Sequence, residues 1–174
     1  PKARIVSISI GDTFGFVALP PQRKTPTPWV WYAPTLNGSY PNASCEWMFR
    51  RLLSQGVAVA GIDIGESYGN PRGRALFSRF YQELIRTLGL SPRPALLPQS
   101  RGGLMLYNWA AENPEKVACI AGIYTVCDLT SWPALPPGQV NPAVPTGADG
   151  KFAFPLVPPG DFCFQVAPLA GYVF

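Results

Sequence analysis

Leu96-Leu97-Pro98-Gln99-Ser100-Arg101-Gly102-Gly103 is the stretch on which the fold turns. Pro94–Pro98 reads as a short core strand. Gly102–Glu112 (GGLMLYNWAAE) reads as a helix that ends before Pro114. Ser100 therefore falls on the turn between them. A serine hydroxyl is lifted above a sheet at such a turn only when the residues two positions either side let the chain close sharply. Gly102 meets that need, while Pro98 occupies the other position, so the pattern is S-x-G-G with an atypical first half. The positive end of the following helix would point at the site, which suits an oxyanion. The same residues also read as a helix N-cap serine followed by glycines that allow close helix–sheet packing.

Outward from this turn the chain repeats one pattern. Trp29–Ala33 (WVWYA) and Val57–Ile64 (VAVAGIDI) are nearly continuous apolar runs, as expected of strands buried on both faces. Asn42–Gln55 carries Cys45, Met48, Phe49, Leu52 and Leu53 at helical spacing and stops at Gly56. After a glycine-rich loop, Gly65–Gly73, the stretch Arg74–Leu88 has a second apolar stripe and stops at Gly89. Val117–Val126 (VACIAGIYTV) reads as a further strand. At the start, Arg4–Ile10 and Phe14–Leu19 read as a hairpin turning at Gly11-Asp12. Strands alternating with helices of this length predict an α/β fold, a mostly parallel sheet flanked by helices. After Trp132 the periodicity changes to a proline-rich, β-prone tail. The expected organisation is a core over 1–132 and a tail over 133–174, with Lys151–Phe154 and Phe162–Val166 pairing around Pro155–Gly160 as a hairpin.

Composition narrows the partners. Of the 174 residues, 47% are hydrophobic and 14% charged, a balance that argues against disorder and predicts a soluble domain. No apolar run is long enough to span a bilayer, so no membrane is expected. The net charge of +4 comes without the aromatic-interleaved basic pattern of a nucleic-acid module, and no nucleic acid is expected. Arg72, Arg74, Arg79 and Arg86 recur at helical spacing and read as a solvated helix face. Cys45, Cys119, Cys127 and Cys163 lack metal-ligand spacing and read as buried small apolar residues. With no histidine in the chain, neither a metal nor a cofactor is expected. Asn37-Gly-Ser and Asn42-Ala-Ser match the glycosylation sequon. The chain begins at Pro1 rather than methionine, as a processed or trimmed product would.

Residues 1–132 resemble bacterial α/β-hydrolases of the esterase and peptidase type. The resemblance is carried by WVWYAPTL, VAVAGIDIGESYG, SRGGLMLYNWA and VACIAGIYTVCDL, in that order. It implies that Ser100 is the nucleophile and that a small-molecule ester or acyl compound is the substrate. One oxyanion N–H is implied at Arg101, and a second at Thr35 or Leu36, because Pro34 has none. Gly61–Gly69 (GIDIGESYG) resembles the loop over the active-site mouth, with Glu66 and Ser67 lining the pocket and Asp63 ordering the loop. Asp128 stands where some relatives place the triad acid; capping or a turn is its other reading.

The family's mechanism also needs a histidine base, because a serine hydroxyl is a poor nucleophile near neutral pH. This chain has none. Lys2, Lys24, Lys116 and Lys151 are its lysines, and none falls in a recognisable serine–lysine spacing. Three readings follow: a weak serine hydrolase, a non-catalytic remnant of one, or a binding module using the same cleft. The tail, with Asp149-Gly150-Lys151-Phe152-Ala153-Phe154, Pro159-Gly160 and Gly171-Tyr172, is similar to the back half of carboxypeptidase-regulatory-like β-sandwich domains. A sheet that stops after Val117–Val126 leaves an edge, which invites a homo-oligomer or cover by the tail.

Overall fold

In the computed structural model, residues 3–36 and 39–127 are described. Gly11 takes φ 61 at the tip of the first hairpin. There Arg4–Ile10 (β1) folds back antiparallel on Thr13–Leu19 (β2), with Arg4 opposite Leu19 and Ile10 opposite Thr13. Trp29–Ala33 (β3), Ala58–Ile62 (β4), Ala95–Pro98 (β5) and Cys119–Ile120 (β6) complete one six-stranded sheet of order β1-β2-β4-β3-β5-β6. β2 pairs antiparallel with β4, and the pairs from β4 through β6 are parallel. Each parallel strand needs a crossover of a dozen or more residues, and helices supply most of these.

The helices begin and end on local signals. Asn42 caps a 3-10 turn, Ala43–Cys45, by accepting from Ser44 N at 3.0 Å, and Glu46–Ser54 (α1) follows. Pro71–Leu88 (α2) starts with Asn70 accepting from Gly73 N at 2.8 Å, has Pro71 in its first turn, and stops at Gly89 in the left-handed region. Gly102–Glu112 (α3) leaves the end of β5.

Every residue of β3 and β4 is buried, because both faces of the sheet are covered. On one face α2 and α3 pack around Trp31, whose ring lies 5.1 Å from Phe77 and 4.8 Å from Trp109. On the other, α1 covers Tyr32, Val59 and Cys45, and Phe49 meets the Tyr32 ring edge-on at 5.3 Å.

The α/β architecture is as expected, with strand and helix ends shifted by a few residues. α2 begins three residues before Arg74, because Asn70 and Pro71 supply the cap and first turn. The stretch Asn42–Gln55 divides into a 3-10 turn and α1. Val117–Val126 is the main correction. Only Cys119 and Ile120 form strand, and residues 118–122 are exposed. Beyond them the pairing with β5 thins to Ala121 N–H on Leu96 C=O, Ile123 N–H on Pro98 C=O and one bridge to Gln99, and the backbone also serves the Ser100 turn: Ser100 N–H donates to Ile123 C=O at 3.0 Å and Val126 N–H to Ser100 C=O at 2.8 Å.

Of the α2 arginines Arg72, Arg79 and Arg86 are exposed, Arg86 pairing with Glu83 at 2.8 Å, whereas Arg74 is not on a solvated face: its side chain is largely buried and pairs with Glu112 at 2.9 Å. Cys45 is buried as expected, but Cys119 is exposed because its strand is an edge; neither they nor Cys127 form a disulfide. Among the described residues no helix is long and apolar enough to cross a membrane. Asn37, Asp128, the 132/133 boundary and the expected tail hairpin lie outside the described residues.

Candidate active site

The Ser100 turn joins β5 to α3 at the C-terminal ends of the parallel strands. Ser100 has φ 51, a left-handed conformation that costs a residue with a β-carbon about 1–3 kcal/mol. Neighbouring backbone holds it there. Gln99 N–H donates to Ala33 C=O at 2.7 Å, and Ser100 C=O accepts from Gly103 N–H at 3.0 Å as well as from Val126 N–H. The glycines of S-x-G-G are required by space. A β-carbon on Gly102 would stand 2.0 Å from Ala33 O, and one on Gly103 would stand 2.4 Å from Val126 O. Pro98 fits the first half because it is the last residue of β5. Its carbonyl accepts from Ile123 N–H at 2.9 Å, and in register it stands opposite Ala33. Ser100 is half-buried, and no described residue is hydrogen-bonded to its side chain. Since α3 begins two residues later, its positive end lies at this turn.

The contact of Gly102 with Ala33 and Pro34 brings the loop after β3 against the turn, and with it Thr35 and Leu36. Leu36 N–H is given to Tyr40 C=O at 2.9 Å in a tight reverse turn, so it is committed elsewhere. Thr35, which bridges Asp63 at the end of β4, is the candidate that remains on this arm. On the other arm Arg101 follows Ser100 directly. Its guanidinium binds Glu66 at 2.9 Å and lies 5.9 Å from the centre of the Tyr40 ring. Burial pushes the Glu66 carboxyl above the usual range, although Arg101 pulls the other way. The loop after β4 thus reaches the mouth of the turn through Glu66. Ser67 does not. It is buried against Gly73 of α2 and accepts from Gly69 N at 3.3 Å, so it orders the loop. Asp63 does likewise by accepting from Gly65 N at 2.9 Å.

A cleft of about 870 Å³ opens beside the turn, lined by Phe14, Thr35, Leu36, Tyr40, Asp63 and Gly65 among others. Thr35 is thus shared between the cleft and the Ser100 neighbourhood, whereas Ser100, Glu66 and Ser67 do not line it. The lysines stand apart. Lys116 bonds Asn113 at 2.6 Å, just before β6, and Lys24 lies just before β3; both are at the opposite end of the parallel strands from Ser100. Lys2 and Lys151 lie outside the described residues. Among those residues no cluster of three or more metal-binding side chains occurs.

Sequence reasoning passed over Gln99, Tyr32 and Tyr124. Gln99 is almost fully buried and hydrogen-bonded to both tyrosines. The available signal was a polar residue at the end of an otherwise apolar strand.

No protein-family model matches the chain. Nor does any curated protein match it in a sequence search. Solved structures do. A fluorophosphonate-binding serine hydrolase of Staphylococcus aureus superposes with TM-score 0.61 at 13% identity, covering 75% of this chain and 60% of its own. An S-formylglutathione hydrolase of Agrobacterium tumefaciens gives 0.56 at 18%, covering 73% and 59%. A cold-adapted esterase from an Arctic intertidal metagenomic library gives 0.53 at 14%, covering 69% and 59%. The chain therefore has a partial α/β-hydrolase fold and spans about three fifths of the length of these structures.

Proposed function

We propose that the chain is a serine-hydrolase-type protein in which Ser100 is the acyl-accepting nucleophile for small esters or related acyl compounds. The observation that carries this is the left-handed Ser100 at a strand-to-helix turn, with Gly102 pressed onto Ala33. Holding a non-glycine residue at φ 51 has a cost, and such cost is concentrated where a side chain must be presented. In this reading the amides of Arg101 and Thr35 stabilise the oxyanion, and the Glu66–Arg101 pair borders the acyl group. Proton removal from Ser100 is the weak step. A positioned histidine would normally do it, and the chain contains none. Turnover is accordingly slow, because only the oxyanion hole and substrate binding remain to lower the barrier.

The absent base also favours a second reading, a non-catalytic remnant or a binding module that uses the cleft beside the turn. A fluorophosphonate probe separates the two, because phosphonylation requires an activated serine. Labelling mapped to Ser100 by mass spectrometry and lost in Ser100→Ala supports the first reading. A chain that stays unlabelled through long incubation at high probe concentration supports the second.

A further inference from the structure

Beneath the turn lies a polar cluster to which neither reading assigns a role. Gln99 is 2% exposed. A buried amide is costly unless both of its ends are bonded, and here both are. Its Oε1 accepts from the Tyr32 hydroxyl at 2.7 Å and from the Cys45 thiol at 3.4 Å, and its Nε2 donates to the Tyr124 hydroxyl. Three separate pieces of chain meet there: β3 through Tyr32, the entry to α1 through Cys45, and the segment after β6 through Tyr124. That last segment also grips Ser100 from both sides, through Ile123 C=O and Val126 N–H. Tyr124 itself has φ 37, although its side chain is largely in solvent at 70% exposure. A non-glycine residue stays in that conformation only where its surroundings hold it. The hydroxyl bonded to Gln99 is one such hold.

We propose that Gln99 is the positioning residue of this turn, its side-chain amide clamping Tyr32 of β3 to Tyr124 and so fixing the 123–126 segment against the backbone of Ser100. The clamp acts through the backbone and touches no substrate. Burial, followed by the contact with Cys45, pushes the Tyr32 phenol above its usual range. Tyr32 therefore stays protonated as a donor to Oε1 across the neutral pH range. The link from clamp to chemistry rests on the serine-hydrolase reading; the clamp itself does not.

The test uses the whole chain, with amide hydrogen exchange as the first measurement and fluorophosphonate inactivation as the second. Tyr124→Phe removes one largely exposed hydroxyl and leaves the core intact, so it keeps the proposal testable even where Gln99→Met fails to fold. Tyr124→Phe should lower the protection factors of the Ser100 and Val126 amides about tenfold, the effect of losing one hydrogen bond, and Gln99→Met, which loses all three, by at least as much. Val59 and Ala60 in β4 should stay within about twofold. Gln99→Glu should keep the protection where its carboxyl is protonated, because the carbonyl still accepts from Tyr32 and the acid O–H replaces the amide donor to Tyr124, whereas Gln99→Met should not. Generic loss of packing would lower protection in both variants alike. If wild type is labelled, Tyr124→Phe should slow the inactivation step and leave affinity for the probe unchanged. Unchanged protection at Ser100 and Val126, or an equal drop at every amide, overturns the clamp. An unlabelled wild type that shows the local exchange pattern sustains the clamp and removes the hydrolase reading.

Discussion

At Gly102 one β-carbon separates a closed turn from a broken one. The nearest atom is a backbone carbonyl of the central strand, which cannot swing aside as a side chain would. Gly102→Ala should therefore cost about 2–4 kcal/mol, measured as a shifted midpoint in urea, the upper range for overpacking in a core. A loss under half a kcal/mol would mean that the turn closes more loosely than described. Glu66 supplies a second residue-scale prediction. Its folded carboxyl titrates above the ordinary glutamate value because of burial, with Arg101 only partly offsetting this. A raised acid means that the folded state holds the proton more tightly than the unfolded chain does. Its stabilising contribution is present below the unfolded value of about 4.3 and is lost as pH rises through the higher folded value. Glu66→Gln should thus gain stability relative to wild type between pH 4 and 7, and a thermal-melt difference of the opposite slope would refute this. The need for Gly102 was legible in the sequence, since any sharp strand-to-helix turn demands a small residue there. Gln99 was not, because its partners Tyr32 and Cys45 lie 67 and 54 residues away and only folding brings them together. The commitment of the Leu36 amide to Tyr40 was hidden for a different reason, since it depends on a turn that no periodicity encodes.

At the scale of elements, the strongly periodic pieces were readable and the edge was not. β1 and β3 agree with their sequence patterns residue for residue, because burial on one or two faces writes itself into the spacing of apolar side chains. β6 does not, because Val117–Val126 carries an apolar run whose second half serves the Ser100 turn. An edge strand with Ile120 at 45% exposure is a surface that proteins usually cover. Ile5 and Phe14, exposed on the opposite hairpin, add to the apolar area. If the tail covers such surface, deleting residues 133–174 should cause aggregation or a broad, non-cooperative melt. A deletion variant that stays monodisperse and melts like the full chain would make the tail a passenger.

For the molecule as a whole, the decisive quantity is an inventory: a partial hydrolase fold, a strained serine and not one histidine in 174 residues. The fold could be read from the order of strands and helices, whereas the level of activity depends on a proton acceptor that no element of the described structure presents to Ser100. Hydrolysis of p-nitrophenyl acetate by this chain alone should therefore run near background, and Ser100→Ala should change it little. The pH profile should lack the inflection near 6–7 that a catalytic imidazole produces. Among the described residues Glu66 is the one carboxyl near the turn with an upward shift, so an inflection that comes from it should vanish in Glu66→Gln. A fast rate abolished by Ser100→Ala would reveal a base of another kind, with Lys2 and Lys151 the first to replace, because Lys24 and Lys116 lie at the far end of the strands. A rate rising more steeply than the first power of protein concentration would instead show that a second copy, docked at the open sheet edge, completes the site.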